Sequence, residues 1–498
     1  MQQVLKTPLW MHAIACLLAG AATTLAFAPF TYGYIAILTI AVLFYSWSKT
    51  GARTALLTGY LFGLGLFGTG LSWLHISINL FGGVSLAGAW LLTFLLVAFL
   101  ALYPALAGYL GRRLSDKPAI LLLLCLPPAW TLAEWLRGWL LTGFPWLGIG
   151  YSQIDNVLVN IAPVMGVYAV SWIVCFMASL LVLFVNTGNK QKPAIVVTLA
   201  IIITSMLTLS YVQWTQDRKD NKSVALVQGA IPQAMKWRPE QRQKTIELYN
   251  SLTNPYWNDS DLIIWPETAI PLLFHQATPL IEALQEKARS SRADLLTGFV
   301  IKDLDHNKYF NSIIVIGRDI EMYNKRHLVP FGEYLPLDSL LRPLLHILSI
   351  PMSDFSAGDH RPLLQAGGIP VGVSICYEDI FGEEVIDALP DAGILINVSN
   401  DAWFGDSLAP HQHLQMARMR AKETGRYLLR STNTGISAII DEEGKIVGRS
   451  PQFKADVLRV RVKTFSGETP YSRYGNTPVI IFMLLLIGMA VFISRRSY

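Results

Sequence analysis

The chain has 498 residues, of which 52% are hydrophobic and only 15% charged. An average soluble domain carries about 25% charged residues, so a disordered chain or an ordinary cytosolic protein is excluded. Residues 1–215 hold nine Lys/Arg and three Asp/Glu, whereas residues 216–476 hold 29 and 32; that acidic middle lacks the basic surface needed to displace counterions from phosphates, which excludes nucleic acid as a partner.

Apolar stretches of a length to cross a bilayer, about 20 residues, are predicted near 9–27, 33–48, 54–74, 84–110, 118–137, 157–186 and 193–214, with an eighth at 477–494. Lys6, then Lys49 and Arg53, then Arg112, Arg113 and Lys117, then Lys190 and Lys192, then Arg495 and Arg496 fall on one side of these spans. The opposite short loops hold only Arg137. By the bias of basic loops toward the cytoplasm, both termini are expected there and the large insert between the seventh and eighth spans outside it.

A cleaved leader is the competing reading of the N-terminus, because Lys6, an apolar run and Ala26-Phe27-Ala28 have its layout. Pro29 after that site opposes cleavage, and losing one span would not move the insert. Glu134 and Arg137 lie three apart on a predicted helix and share a face; an interfacial clamp and a functional intramembrane pair are both open readings. Trp73 and His75 fit an aromatic belt at the end of the third span. Cys16, Cys125 and Cys175 fall within apolar spans, where cysteine behaves as a small hydrophobe. Cys376 is the only cysteine of the insert, and an unpaired thiol outside the cytoplasm reads as a candidate nucleophile.

Within the insert, strands are predicted at Ser223–Gln228, Leu262–Trp265, Leu295–Val300, Ser312–Ile316, Val371–Ile375 and Gly393–Val398, with helices near 239–253, 278–291 and 410–425. This alternation predicts an α/β or α+β domain with buried sheets. Three segments put ionisable residues just past predicted strands: Trp265-Pro266-Glu267-Thr268, Tyr323-Asn324-Lys325-Arg326-His327 and Ile375-Cys376-Tyr377-Glu378-Asp379. In open α/β sheets ligands gather beyond strand carboxyl ends. A thiol, a carboxylate and an ammonium meeting there make an acyl-transfer site: Cys376 as nucleophile, Glu267 taking its proton, Lys325 stabilising the thiolate and the oxyanion. A Cys376 dyad with His411 or His413 is a competing arrangement. His411-Gln412-His413 has no third ligand at a familiar metal spacing, so no metal is expected and a solvated helix start is the plainer reading. A transporter or binding scaffold is disfavoured because the spans carry too few charges for an ion pathway.

In their order and local sequence, Glu267, Lys325 and Cys376 resemble the Glu–Lys–Cys triad of the nitrilase superfamily. Lys325-Arg326-His327-Leu328-Val329-Pro330-Phe331-Gly332-Glu333 and Asn397-Val398-Ser399-Asn400-Asp401-Ala402-Trp403-Phe404 also look like that family. Such a domain set between the last two of eight spans is similar to the lipoprotein-acylating membrane branch of the superfamily, as is Gln228-Gly229-Ala230-Ile231-Pro232-Gln233 followed by Lys236-Trp237. The resemblance implies a membrane α-helical bundle at 1–215, an α/β nitrilase-like αββα sandwich at 222–465 and an eighth transmembrane helix at 477–494.

It further implies a cofactor-free, ping-pong enzyme of the bacterial inner membrane, monomeric, with the catalytic domain on the periplasmic side. Cys376 would take the sn-1 acyl chain of a phospholipid as a thioester and pass it to the α-amino group of a diacylglyceryl apolipoprotein. By the same resemblance Glu333 is a second carboxylate near the thiol, Tyr377 and Glu378 border it, and the backbone N–H after Cys376 joins Lys325 as an oxyanion donor. Trp237 and Tyr334 are candidates for contacting lipid. An apolar stretch within 331–365, with Leu340, Leu341, Leu344, Leu345 and Ile347, is expected either to dip into the interface or to be a core helix. A membrane-tethered amidase, in which water resolves the thioester, is the alternative.

Overall fold

The computed structural model describes residues 8–336 and 354–496. The apolar stretch from Leu340 to Ile347, read above as an interfacial or core segment, lies outside the described residues. The chain divides into two compact units, one holding the residues up to His75, Ser85–Val212 and the chain from Tyr474 onward, the other Ile76–Val84 and Gln213–Arg473.

The first unit is helical. Among the described residues, six helices are long and apolar enough to cross a membrane: Leu9–Ala26, Leu86–Leu114, Pro118–Arg137, Val157–Asn186, Lys192–Leu209 and Thr477–Arg495. Two of the eight expected spans differ from the sequence reading. Ala52–Gly70 stops short of the stretch predicted to reach 74, and it makes a seventh candidate only if counted with Leu74–Leu80, bent from it by 55°. Tyr34–Lys49 is apolar but only 16 residues long, under the length that spans a bilayer untilted.

Close helix approach is built on glycine. A Cβ on Gly20 would lie 2.0 Å from the Phe62 carbonyl oxygen and one on Gly65 2.2 Å from that of Leu17, so the helices at 9–23 and 52–70 touch backbone to backbone where small residues permit it. Glu134 and Arg137 both hold down the backbone that follows their helix. Glu134 Oε1 accepts from Trp130 Nε1 at 3.0 Å and from the Ile149 amide at 2.8 Å, while Arg137 donates to the carbonyls of Phe144 and Trp146 at 2.5 and 2.6 Å. These bonds tie the chain at 144–149 to the end of the helix.

The second unit contains fourteen strands among its described residues: β1 Gln216–Asp217, β2 Lys222–Gln228, β3 Leu262–Ile264, β4 Asp294–Asp303, β5 Lys308–Ile316, β6 Ile320–Asn324, β7 Leu363–Ala366, β8 Ile369–Ile375, β9 Ile394–Ser399, β10 Leu428–Thr432, β11 Ala438–Ile440, β12 Ile446–Arg449, β13 Asp456–Val462 and β14 Phe465–Ser466. They form one sheet in the order β13-β2-β3-β4-β5-β6, a second in the order β12-β11-β10-β9-β8-β7, and a small β1-β14 ribbon.

Side-chain alternation along the central strands stacks the layers. Val224, Leu226, Ile264 and Ile313 of the first sheet share a core with Val373, Ile375, Ile396 and Leu429 of the second. The opposite faces carry helices: Ala225, Val227 and Ile263 pack with Tyr249, Ile281 and Leu284, and Leu395, Leu428 and Ile440 with Leu414, Ala417 and Ala421. The order of layers is helix, sheet, sheet, helix. Strands buried on both faces read as near-continuous apolar runs, which is why the predicted strands are the central ones. Residues 76–84 belong to this unit too: Ser77 Oγ donates to the Trp403 carbonyl at 2.6 Å and Phe81 meets the Trp403 ring edge-on at 5.0 Å.

Gly298 sets the spacing between β4 and the chain leaving β3. A Cβ there would lie 2.4 Å from the Thr268 nitrogen and 2.7 Å from the Glu267 Cα. Gly298→Ala is expected to destabilise this unit by about 1–3 kcal/mol through overpacking, read as a lower thermal midpoint in detergent. An unchanged midpoint would mean that residues 266–268 have slack.

Candidate active site

Three chain reversals bring the predicted triad together. Cys376 directly follows β8 and takes φ 51°, a left-handed conformation uncommon for a residue with a side chain. Lys325 directly follows β6, with its backbone N–H bonded to the Asn311 carbonyl on β5 at 2.8 Å and its own carbonyl accepting from Gly358 at 2.8 Å. Glu267 sits three residues beyond β3. Cys376 is partly exposed, whereas Lys325 and Glu267 are buried.

Glu333 joins them. Lys325 Nζ donates to Glu333 Oε1 and Oε2 at 2.9 and 2.7 Å, and the turn that delivers Glu333 folds its Oε2 back onto the Val329 amide at 2.8 Å. Asn311 Nδ2 bridges the carboxylates, 2.7 Å from Glu267 Oε1 and 3.0 Å from Glu333 Oε1. Glu378 has a different task. Its Oε1 accepts from the Tyr323 hydroxyl and the Arg326 amide at 2.8 and 2.7 Å, and its Oε2 from the Ile375 amide at 2.7 Å. One buried carboxylate thus ties the lysine loop to the strand end that bears the cysteine.

Tyr377, predicted to border the thiol, turns its ring into an aromatic group with His327 at 5.7 Å and Phe381 at 5.1 Å. Trp237 is half exposed and follows the short helix Gln233–Lys236, whose buried Lys236 donates to the Glu267 carbonyl at 3.2 Å. Tyr334 pairs with Pro330 and accepts from the Phe331 amide at 2.8 Å; its bonds lie within its own turn rather than with the triad.

Charge placement defines what the groups can do. Burial pushes the Cys376 thiol up and Glu267 adds to this, outweighing Lys325, so the resting group is a thiol that needs a base. Burial works against the Lys325 charge, but Glu333, Cys376 and Glu267 together hold it above its ordinary value. Burial is also the largest influence on Glu267 and raises it; Lys325 opposes this, Glu333 adds to it, and the net is upward. Burial lowers Lys236 to about 8, against the pull of Glu267. A permanent ammonium, a carboxylate inclined to take a proton and a thiol form a set suited to nucleophilic acyl transfer.

Sequence reasoning assigned no role to Asn311 or Lys236, nor to a buried ionic group beneath Cys376. Arg430 Nη1 donates to Asp379 Oδ2 at 3.0 Å and to Asn397 Oδ1 at 2.6 Å, and its Nη2 to Asp401 Oδ2 at 3.0 Å. His413 lies within this group and is buried, contrary to the solvated helix start expected for it. Its Nε2 is 2.8 Å from Asp379 Oδ1 and 3.3 Å from the Cys376 carbonyl oxygen. That places it against the backbone of the cysteine rather than in the base position of a dyad. His411 is only part-buried, with Arg449 and Asp406 as its charged neighbours.

The layered sheets and this site define the class, a domain of the carbon–nitrogen hydrolase type. Residues 223–470 match the family model described as carbon-nitrogen hydrolase, and residues 19–180 that of the apolipoprotein N-acyltransferase N-terminal domain. A relative from Methylococcus capsulatus named apolipoprotein N-acyltransferase is 45% identical across 97% of this chain and 96% of its own. One of the same name from Nitrosomonas europaea is 43% identical across 98% and 99%. Among solved structures, Saccharomyces cerevisiae Nit3, a member of branch 10 of the nitrilase superfamily, is similar over 51% of this chain and 92% of its own, at 20% identity and a TM-score of 0.37. The chain belongs to the apolipoprotein N-acyltransferase family and is an enzyme.

A reaction that needs Glu267 unprotonated speeds up as pH rises through its raised value. Glu333→Gln removes one charge that raises Glu267 and frees Lys325 to pull it down. Both effects have one sign, so the acidic limb of the pH–rate profile is expected to move to lower pH. A limb that stays in place would show that Glu333 does not act on Glu267.

Proposed function

We propose that the protein transfers the sn-1 acyl chain of a membrane phospholipid, through a thioester on Cys376, to the α-amino group of the S-diacylglyceryl cysteine that begins an apolipoprotein. The observation that carries this reading is the joint one: relatedness to named apolipoprotein N-acyltransferases along almost the whole chain, with a buried Glu267–Asn311–Glu333–Lys325 network beside the only cysteine of the second unit.

In the first half-reaction Glu267 takes the Cys376 proton as the sulfur attacks the ester carbon. Lys325 and the Tyr377 N–H face the oxyanion. When the tetrahedral intermediate collapses, the carbon–oxygen bond breaks and Glu267 returns the proton to the departing oxygen, giving a lysophospholipid and a thioester. In the second, the free α-amine, with a pKa near 7.7–8.0, attacks the thioester and gives up a proton to Glu267. The carbon–sulfur bond then breaks, and the proton restores the thiol. The product is a triacylated lipoprotein amide, and no cofactor takes part.

Lipids of both substrates stay in the bilayer, so the thiol has to be presented at its surface. Eight spans, with the 222–465 domain inserted between the last two and both termini cytoplasmic, would anchor the domain from both sides and put it on the periplasmic face of the inner membrane. Trp237 and Tyr334 are the proposed lipid contacts. The loop basicities support this orientation.

The deciding measurement is the peptide mass of Cys376 after the purified protein meets phospholipid in detergent without an acceptor. A hydroxylamine-sensitive acyl adduct is expected, absent in Cys376→Ala, reduced by about 10²-fold or more in rate in Glu267→Gln, where a general base is lost, and discharged by a diacylglyceryl-cysteine peptide. Lipid consumed with Cys376 unmodified would move the nucleophile elsewhere. An adduct discharged by water as fast as by the peptide would favour the amidase-type hydrolysis.

A further inference from the structure

The charged group beneath Cys376 touches neither substrate position in this scheme, yet it is assembled around one peptide bond. Asn397 Oδ1, on β9, accepts from Arg430 Nη1, which fixes the amide so that Nδ2 faces Ser374 Oγ at 3.0 Å and the Cys376 carbonyl at 3.2 Å. His413, on the helix Ala409–Thr424, has its Nδ1 2.8 Å from Arg430 Nη2. Nδ1 also lies 3.3 Å from Asp401 Oδ1, and an arginine can only donate; whether Nδ1 accepts from Arg430 or the ring is cationic and donates to Asp401, Nε2 carries a proton, directed to Asp379 Oδ1 at 2.8 Å and, more weakly, to the Cys376 carbonyl at 3.3 Å. Two donors, both locked by one guanidinium, therefore converge on a single carbonyl oxygen.

That oxygen is one end of the Cys376–Tyr377 peptide, and the other end is the Tyr377 N–H. A peptide unit is planar, so whatever fixes the carbonyl also aims the N–H on its far side. Hydrogen bonds in series polarise one another, so the two donors also make that N–H a stronger donor in turn. Support is needed here because Cys376 is held at φ 51°, a strained conformation for a residue with a side chain that persists only where surroundings impose it.

We infer that Asn397 and His413, held by Arg430, are positioning residues of the oxyanion site, fixing the Cys376–Tyr377 peptide so that the Tyr377 N–H meets the ester oxygen as negative charge develops. This rests on the acyl-transfer reading above. It differs from a merely structural role in its consequence: only reactions that build an oxyanion depend on it.

Two reactions of the same sulfur separate the cases in the full-length protein in detergent. Acylation by phospholipid passes through an oxyanion. Alkylation by iodoacetamide does not: the sulfur displaces iodide from carbon, forming a thioether, and the thiol proton is released. In His413→Leu the acylation rate is expected to fall about 10–10²-fold, less than the ~10²–10³ for deleting such a donor outright, with alkylation largely unchanged. His413→Gln, whose terminal amide nitrogen reaches the place of Nε2, is expected to recover most of the loss. Asn397→Ala, which leaves the charged groups intact, is expected to show the same split and decides the matter if His413→Leu does not fold. Acylation unchanged in the variants overturns the inference, as does an equal fall in both reactions, which would mean that the thiol itself is displaced. If the wild-type protein forms no adduct, the acyl-transfer reading fails first, and this inference with it.

Discussion

A single ammonium, buried among carboxylates, sets the terms on which this site can exist. Lys325 is 1% exposed, and stripping water from such a charge without compensation costs several kcal/mol. Both oxygens of Glu333 are committed to it, and Glu267 and Glu378 add their fields. The remaining geometry follows from that demand. The turn after Val329 closes on itself to hold Glu333 in place, Asn311 separates two carboxylates that would otherwise repel, and Glu378 binds the lysine loop and the cysteine strand to each other. A lysine so held keeps its proton, which suits it to stabilising charge and unsuits it to moving protons. The proton traffic is left to Glu267.

The fold meets this demand with two sheets rather than one. β3 and β6, which precede Glu267 and Lys325, lie in the first sheet, and β8, which precedes Cys376, lies in the second. The shared core between them fixes the distance between the cysteine and its partners. Glu378, from the second sheet's loop, then reaches across to Tyr323 and Arg326 of the first. The sandwich is thus stitched by polar bonds where the chemistry sits as well as by the apolar core the two sheets share.

This division explains what was legible in the sequence. Strands buried on both faces, such as β2, β3, β8 and β9, announce themselves as apolar runs, and the predicted segments lie on them. β6 and β13 were missed because charged residues interrupt the run: the half-buried Glu321 in the one, the exposed Arg459 and Arg461 in the other. β10 was missed for the opposite reason. It is wholly buried, but Arg430, Ser431 and Thr432 make it look like surface, because its polar residues answer to partners inside the core. The triad could be found because its members each sit in a distinctive local sequence, Glu267 and Cys376 just past strands that were themselves legible. The group around Arg430 could not, since its members come from separate segments and only the fold makes them neighbours. In the membrane-like half, hydropathy located the helices, including the 16 residues of Tyr34–Lys49, but could not register the bend after Gly70, which depends on packing rather than composition.

The raised thiol has a consequence for a two-step reaction. A thiol of high pKa is a more nucleophilic thiolate once formed, and a poorer leaving group once acylated, because lower-pKa thiols depart faster. In the proposed cycle the acyl-enzyme has to persist until a large, lipid-anchored amine arrives, while water is far more abundant. A reluctant leaving group lengthens that wait. The same reluctance would stall the second step unless the departing sulfur were met by positive charge, and Lys325, whose own charge is stabilised by Cys376, supplies it. The raised thiol thus serves the intermediate, and the buried lysine beside it serves the intermediate's release.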